Sequence, residues 1–179
     1  MNTKKYIETT LIGLLKRKSI DRIKVNEIIR EVGTCKGTFY KYYKDKYELL
    51  VSCFNSNFYS EIIASTDSWD DFLYKCLAKF EKEPAVILNS FNSTDVNSVR
   101  YYHEELISSY LENSLGQADS HSVNKLNKFA TKMCATNYTD IILRWLSDGM
   151  EESKEDLIMY MKAALPQAIY PVKEKEAAV

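Results

Sequence analysis

The side chains best suited to binding chemistry lie in one short segment near the start of the chain. From Ile28 to Lys46 the sequence is IIREVGTCKGTFYKYYKDK, in which lysines are interleaved with tyrosines. The side chains concerned are Lys36, Lys41, Lys44 and Lys46 together with Tyr40, Tyr42 and Tyr43. Ammonium groups and phenol hydroxyls both donate hydrogen bonds to phosphate oxygens. The segment therefore indicates contact with a polyanion.

Charge is distributed unevenly along the 179 residues. Residues 1–50 contain twelve Lys or Arg against six Asp or Glu, a net charge of +6. Because the formal charge of the whole chain is -1, the remaining residues have a net charge of −7. A basic head joined to an acidic body is expected when only the head meets a nucleic acid, although a chance asymmetry would look the same.

The spacing of apolar residues predicts three helices that would position this segment. They are expected over residues 3–17, 25–32 and 36–42, with a polar link over residues 18–24. Gly33 is expected to end the second helix, and Phe39 and Tyr43 would lie on the buried face of the third. Two short helices separated by a tight turn with glycine are what a helix-turn-helix requires.

Helical patterns continue through the rest of the chain. A connecting helix is expected over residues 46–64, ending at the polar break Ser65–Ser68, and later helices at residues 72–80, 99–115, 123–145 and 157–165. An apolar run at residues 85–88 precedes a loop at residues 92–97. With only 5 Gly and 3 Pro, the chain has too few turn residues for an all-β protein. The sequence predicts an all-α fold with a helix-turn-helix head, residues 1–50, and a helical body, residues 65–179.

The ordered residues around the predicted turn resemble the TetR family of bacterial regulators. The family pattern is Gly, two small residues, Lys-Gly-Thr-aromatic-Tyr, two variable positions, an aromatic residue and a Lys that opens the next helix. The matching residues are Gly33, Lys36, Gly37, Thr38, Phe39, Tyr40, Tyr43 and Lys46. Lys24 and Cys35 stand where the family has capping Thr or Ser residues, which predicts weaker capping unless Asn26 or Thr34 substitutes.

The resemblance implies a transcription regulator that binds a palindromic operator in double-stranded DNA as a homodimer and is a repressor released by a ligand. It places Lys36, Thr38, Tyr40 and Tyr42 against DNA. It assigns Lys46, at the start of the connecting helix, to a phosphate. The alternatives are that the tyrosines pack inside the head and that each lysine is simply solvated.

The body is expected to contain an effector pocket and a dimer interface, since the family has both. Candidate pocket residues are Phe72, Phe80, Tyr101, Tyr102 and His103, and candidate interface residues are Ile141, Trp145, Met161 and Leu165. Ordinary core packing explains both sets of apolar residues as well.

Cysteine usage suggests a cytoplasmic protein and one hypothesis about regulation. The four cysteines have no CxxC spacing, and no signal segment opens the chain, so a reducing cytoplasm is expected. A thiol at Cys35, beside Lys36 at a helix start, would have a lowered pKa and could act as a redox switch. Cys53, Cys76 and Cys134 fall on apolar faces and are expected in the core.

Other function classes find little support in the sequence. His103 and His121 have no partners at metal-ligand spacing, and nucleotide-binding glycine loops and GxSxG are absent, so no enzyme, metal or cofactor is expected. No apolar run approaches the roughly 20 residues of a membrane span. The alternative function is a co-activator or interaction module of the same fold that acts through a protein partner.

Overall fold

The computed structural model of the protein describes residues 2–115 and 121–164. Its α-helices are α1 Thr3–Leu15, α2 Val25–Val32, α3 Lys36–Tyr42, α4 Lys46–Phe54, α5 Ser60–Ser65, α6 Trp69–Phe80, α7 Pro84–Phe91, α8 Val99–Leu115, α9 His121–Ser147 and α10 Lys154–Ala163. The described residues contain no strand, which confirms the predicted all-α class. Residues 116–120, Leu165 and the tail from Pro166 lie outside the described residues.

Helices α1 to α3 form the head around an apolar centre. The buried side chains of α1 are Ile7, Leu11, Leu14 and Leu15, and they belong to the same core as Ile28 of α2 and Phe39 of α3. The link between α1 and α2 is less polar than its sequence indicates. It contains a 3-10 turn, Ile20–Arg22, and its two isoleucines, Ile20 and Ile23, are fully buried. The link is therefore anchored to the core.

The connecting segment is one continuous helical run from Lys46 to Ser65 with a wide turn in its middle. The Asp45 side chain caps its start by accepting hydrogen bonds from the backbone N–H groups of Tyr47 and Glu48. A π-helical turn, Asn55–Tyr59, separates α4 from α5. Because a π turn adds one residue, Tyr59 is fully buried five positions after Phe54, a position that the four-residue spacing did not predict.

The body begins at α6, whose first turn is capped by the Ser68 hydroxyl. Pro84 opens α7, where its missing N–H needs no partner, so the predicted apolar run is a full helix. Helices α8 and α9 pack antiparallel, with Arg100 paired to Asp140 and Ser108 bonded to Thr131. Ion pairs from Lys154 and Lys162 fasten α10 to α6.

Two glycines give opposite predictions for stability. Gly33 has a φ of +70°, which strains any residue with a Cβ, so Gly33→Ala should lower the free energy of unfolding by about 1 kcal/mol. Gly13 lies inside α1 with open space around it, so Gly13→Ala should raise that free energy by about 1 kcal/mol. Urea unfolding of both variants measures this. Equal effects of the two substitutions would contradict the assigned conformation of Gly33.

Candidate nucleic-acid interface

The geometry of the turn between α2 and α3 comes from a left-handed residue. Gly33 donates its N–H to the Arg30 carbonyl at 3.2 Å, and Thr34 donates to the Ile29 carbonyl at 3.1 Å. These bonds close the end of α2, and α3 starts only three residues later. Neither Lys24 nor Cys35 makes a side-chain capping bond, and the described residues provide α2 and α3 with no other side-chain cap. Backbone geometry therefore forms this turn.

The buried face of α3 is aromatic. Phe39 is fully buried and Tyr43, which follows the helix, is nearly so, with their ring centroids 6.1 Å apart. The Tyr43 hydroxyl donates to the Glu8 carboxylate at 2.6 Å, which ties the end of α3 to α1. Burial, and then this carboxylate, raise the pKa of Tyr43, so the phenol stays protonated and remains a donor. The two rings fix the rotation of α3 in the head.

The opposite face of α3 is open and basic. Tyr40 is 54% exposed and packs edge-on against Phe39. Lys36, one turn earlier, and Lys41, the next residue, are exposed, and neither has an ion pair among the described residues. At Gly37 a Cβ would meet only the Cys35 sulfur, at 3.9 Å, so a groove wall could approach this face closely. A ring and two free cations on one face suit the major groove.

Thr38 and Tyr42 lie at the edges of this face. Both are half-buried. The Thr38 hydroxyl is 3.2 Å from the Cys35 sulfur, and the Tyr42 ring packs against Tyr43 at 6.4 Å between centroids. Their side chains are therefore less available than those of Lys36 and Tyr40.

Lys46 is engaged inside the head. Its Nζ donates to the carbonyl oxygens of Ile20, Asp21 and Ile23 at 2.8, 3.2 and 3.1 Å. These carbonyls belong to the 3-10 turn and the residue after it, and the three bonds use all three ammonium hydrogens. Burial lowers the pKa of Lys46, against the opposing effect of nearby carboxylates led by Asp21. In this structure Lys46 joins α4 to the α1–α2 link, and the assignment to a phosphate stays a prediction.

Family models match both parts of the chain. Residues 11–53 match the model described as bacterial regulatory proteins, tetR family, and residues 67–167, more than half of the chain, match the model described as transcriptional regulator C-terminal region. The chain belongs to the TetR family of transcription regulators. No curated protein matches it. As a TetR-family member it is a DNA-binding transcription regulator, and the exposed face of α3 lies within the matched head.

The TetR-family body does not gather the five predicted pocket residues around one cavity. Phe72, Phe80 and His103 are buried among aromatic rings of the core. Tyr101 is 43% exposed, and it borders a surface cleft together with the half-buried Tyr102. The Tyr59 hydroxyl lies 2.8 Å from Nδ1 of His103, a contact between α8 and the π turn that sequence reasoning missed. Burial lowers the pKa of His103 to about 3, so its ring is neutral near pH 7.

The predicted interface residues also occupy different environments. Trp145 and Met161 are buried within the protomer, and the Trp145 indole donates to the Glu152 carbonyl. Ile141 is half-buried, and Leu165 lies outside the described residues. Among the side chains of α9 that the structure describes, from residue 125 onward, Leu126, Phe129 and Met133 are large, apolar and exposed. Helical spacing alone could not distinguish the two faces of α9.

The described part of the chain provides neither a membrane-spanning helix nor a metal-binding cluster. None of its helices is both long and apolar enough to cross a bilayer. No three of its His, Cys, Asp and Glu side chains stand close enough together to hold a metal ion.

Cys35 differs from the other three cysteines. It is exposed at the start of α3, and hydrogen bonding to its sulfur, first from the Thr38 hydroxyl, lowers its thiol pKa. Cys53, Cys76 and Cys134 are buried, which raises their pKa values. An accessible thiolate is the precondition for the redox hypothesis.

We therefore expect Cys35 to react first with Ellman's reagent in the native protein. Because its pKa is lowered, thiolate forms at lower pH, so the rate should reach half its maximum below the ordinary value of about 8.5. Stopped-flow absorbance over a pH series measures this, and Cys35→Ser is the control. A fast phase that persists in Cys35→Ser would show that another thiol is responsible.

Proposed function

We propose that this TetR-family protein is a homodimeric repressor that binds a palindromic operator and is released by a ligand bound to its body. The observation that supports the DNA-binding mode is the exposed face of α3, where Tyr40 stands beside unpaired Lys36 and Lys41. Below it, Phe39 and Tyr43 pack into the core of the head, so the helix backbone that carries these side chains is already ordered before it meets DNA.

Each side chain on this face has a separate proposed task. Tyr40 contacts bases or the sugar-phosphate edge in the major groove, and Lys36 binds a phosphate. Thr38 and Tyr42, which are half-buried at the edges of the face, provide further DNA contacts. Lys46 supports the head through its three carbonyl contacts, and it reaches a phosphate only by giving up one of them.

A dimer is proposed because one seven-residue helix reads few base pairs. Two copies on half-sites about one helical turn apart combine their affinities. On α9, Leu126, Phe129 and Met133 are 62%, 66% and 50% exposed, and their spacing of three and four residues places them on one side of the helix. Apolar side chains grouped in this way on a surface are typical of an interface. We propose this stripe, with the half-buried Ile141 near its end, as the dimer contact.

Ligand release follows if the effector binds a conformation in which the two heads no longer match the half-sites. A ligand shifts the equilibrium only as far as its affinities for the two conformations differ. Release therefore requires a second conformation in which the head has a different position relative to the body.

We expect operator binding to depend on salt and on α3. A duplex selected from a random library should be bound with an affinity that falls steeply as salt rises, since phosphate contacts release counterions. Tyr40→Ala should weaken binding at least tenfold, and Lys36→Ala should reduce the salt slope by about 1. Fluorescence anisotropy with labelled duplex measures both quantities.

The matched control is Lys82→Ala, which removes an exposed lysine of the body and should change neither quantity. Binding that is weak, blind to sequence and insensitive to Tyr40→Ala and Lys36→Ala would contradict the repressor. That result would favour the alternative in which the body acts through a protein partner.

We expect Phe129→Glu to convert the dimer to a monomer, because a carboxylate buried in the proposed contact would lose its hydration without a partner. Sedimentation velocity at a fixed protein concentration measures the change. Ile63→Glu is the control, since Ile63 is 50% exposed on α5, away from the stripe, and its replacement should leave a dimer. A native protein that sediments as a monomer would refute the interface.

A further inference from the structure

One of the polar contacts between head and body is made by the carboxylate of Asp21, in the 3-10 turn between α1 and α2. Two others join α7 and the residue before it to the end of α1: Asn89 donates to the Leu15 carbonyl, and Lys16 pairs with Glu83. Oδ1 of Asp21 accepts a hydrogen bond from the Tyr47 hydroxyl of α4 at 3.0 Å. The same oxygen accepts a second one, from the Ser93 hydroxyl of the body, at 2.7 Å. With Lys46 bound to the carbonyls of this turn, the link is held by α4 on one side and by Ser93 on the other.

Ser93 belongs to the loop between α7 and α8, residues 92–98, which has hydrogen bonds of its own. The Ser93 hydroxyl also accepts the N–H of Asp95 at 3.2 Å. The Asp95 carboxylate in turn accepts the N–H of Asn97 at 2.8 Å. Ser93 is only 7% exposed. A displacement of this loop would therefore move Ser93 together with its neighbours and disturb its bond to Asp21.

The same loop forms one wall of a cleft of about 770 Å³ in the body. Ser93 and Thr94 line it from the loop, Arg100 and Tyr101 from α8, and Asp140 and Arg144 from α9. Its volume lies within the range of roughly 300–1,000 Å³ that small-molecule sites occupy. The cleft and the head thus share a structural element.

The charges in the cleft leave one cation available. Arg100 is paired with Glu104 at 2.9 Å and with Asp140 at 2.6 Å. The guanidinium of Arg144, one turn after Asp140, is exposed and has no ion pair or side-chain hydrogen bond among the described residues. The side chains of Leu88 and Leu143 contribute apolar surface to the wall of the cleft. A free guanidinium beside apolar surface suits a carboxylate attached to a small apolar group.

We propose that this cleft binds a small organic carboxylate through Arg144, and that an occupied cleft displaces loop 92–98 and breaks the Ser93–Asp21 hydrogen bond, one of the contacts that position the head. The ligand site rests on the structure of the body, and its effect on DNA rests on the proposed function. Because the loop is shared, no movement of the buried aromatic core is needed for the signal to reach the head.

Calorimetry with the full chain tests the site. The probe is 3-phenylpropionate, and its neutral amide, 3-phenylpropionamide, is the matched ligand control. We expect the acid to bind, the amide not to bind, and Arg144→Gln to abolish binding, while Arg17→Gln, which removes an exposed arginine of the head, leaves it unchanged. No heat from the acid, equal binding of the amide, or full binding by Arg144→Gln would overturn the site.

Operator affinity with and without the acid tests the transmission. We expect the acid to weaken operator binding about tenfold in the native protein. Asp21→Ala removes the acceptor of the Ser93 bond from outside the cleft, so this variant should still bind the acid, yet its operator affinity should hardly respond. Ser90→Ala is the control, because that hydroxyl donates to the Val86 carbonyl within α7, and it should respond like the native protein.

The outcomes separate the two proposals. A protein that binds its operator but ignores the acid, or an Asp21→Ala variant that responds fully, overturns the transmission and leaves the repressor in place. If no DNA sequence is bound, the proposed function fails, and calorimetry alone decides whether the cleft is a carboxylate site.

Discussion

The burial of Phe39 and Tyr43 against the rest of the head is the constraint on which the DNA-facing surface depends. A helix of seven residues is too short to be stable in isolation, so its existence and its rotation are set by packing. With these two rings inside and Tyr43 bonded to Glu8 of α1, Tyr40 and Lys36 can only face outward. The surface that would meet DNA is thus a consequence of an apolar core.

The link between α1 and α2 is anchored to the same core, and its backbone carbonyls are bonded by a lysine side chain. Ile20 and Ile23 anchor this link to the core, and this places the carbonyls of Ile20, Asp21 and Ile23 around one position, where a single donor reaches all three. Lys46 provides all three bonds from the first residue of α4. The carboxylate of Asp21, on the same link, accepts hydrogen bonds from the Tyr47 hydroxyl of α4 and from the Ser93 hydroxyl of the body. A head with few residues is in this way oriented by its neighbours as well as by its own helices.

The body separates its aromatic and its charged groups. Phe80, Phe91 and His103 pack ring against ring beside Tyr59, and burial keeps the histidine neutral, so this region behaves as core. Ion pairs connect neighbouring helices instead: one joins α8 to α9, and two join α10 to α6 and the residue that follows it. Charged side chains such as Arg144 are consequently found at the cleft on the surface, and the interior offers a ligand few polar partners.

The sequence by itself determined the helices, most of their ends and the turn at Gly33, because these follow from apolar spacing, capping residues and a left-handed φ, all of which are local. It also determined the family, since the ordered set from Gly33 to Lys46 lies in one segment. Only the tertiary structure decided that Trp145 and Met161 lie inside the protomer while Phe129 faces out. It likewise decided that the π turn buries Tyr59 beside His103, and that Lys46 turns toward carbonyls twenty or more residues away. These features depend on which segment, distant in sequence, packs against a given face of a helix. They also depend on which polar groups of that segment still need a hydrogen-bond partner.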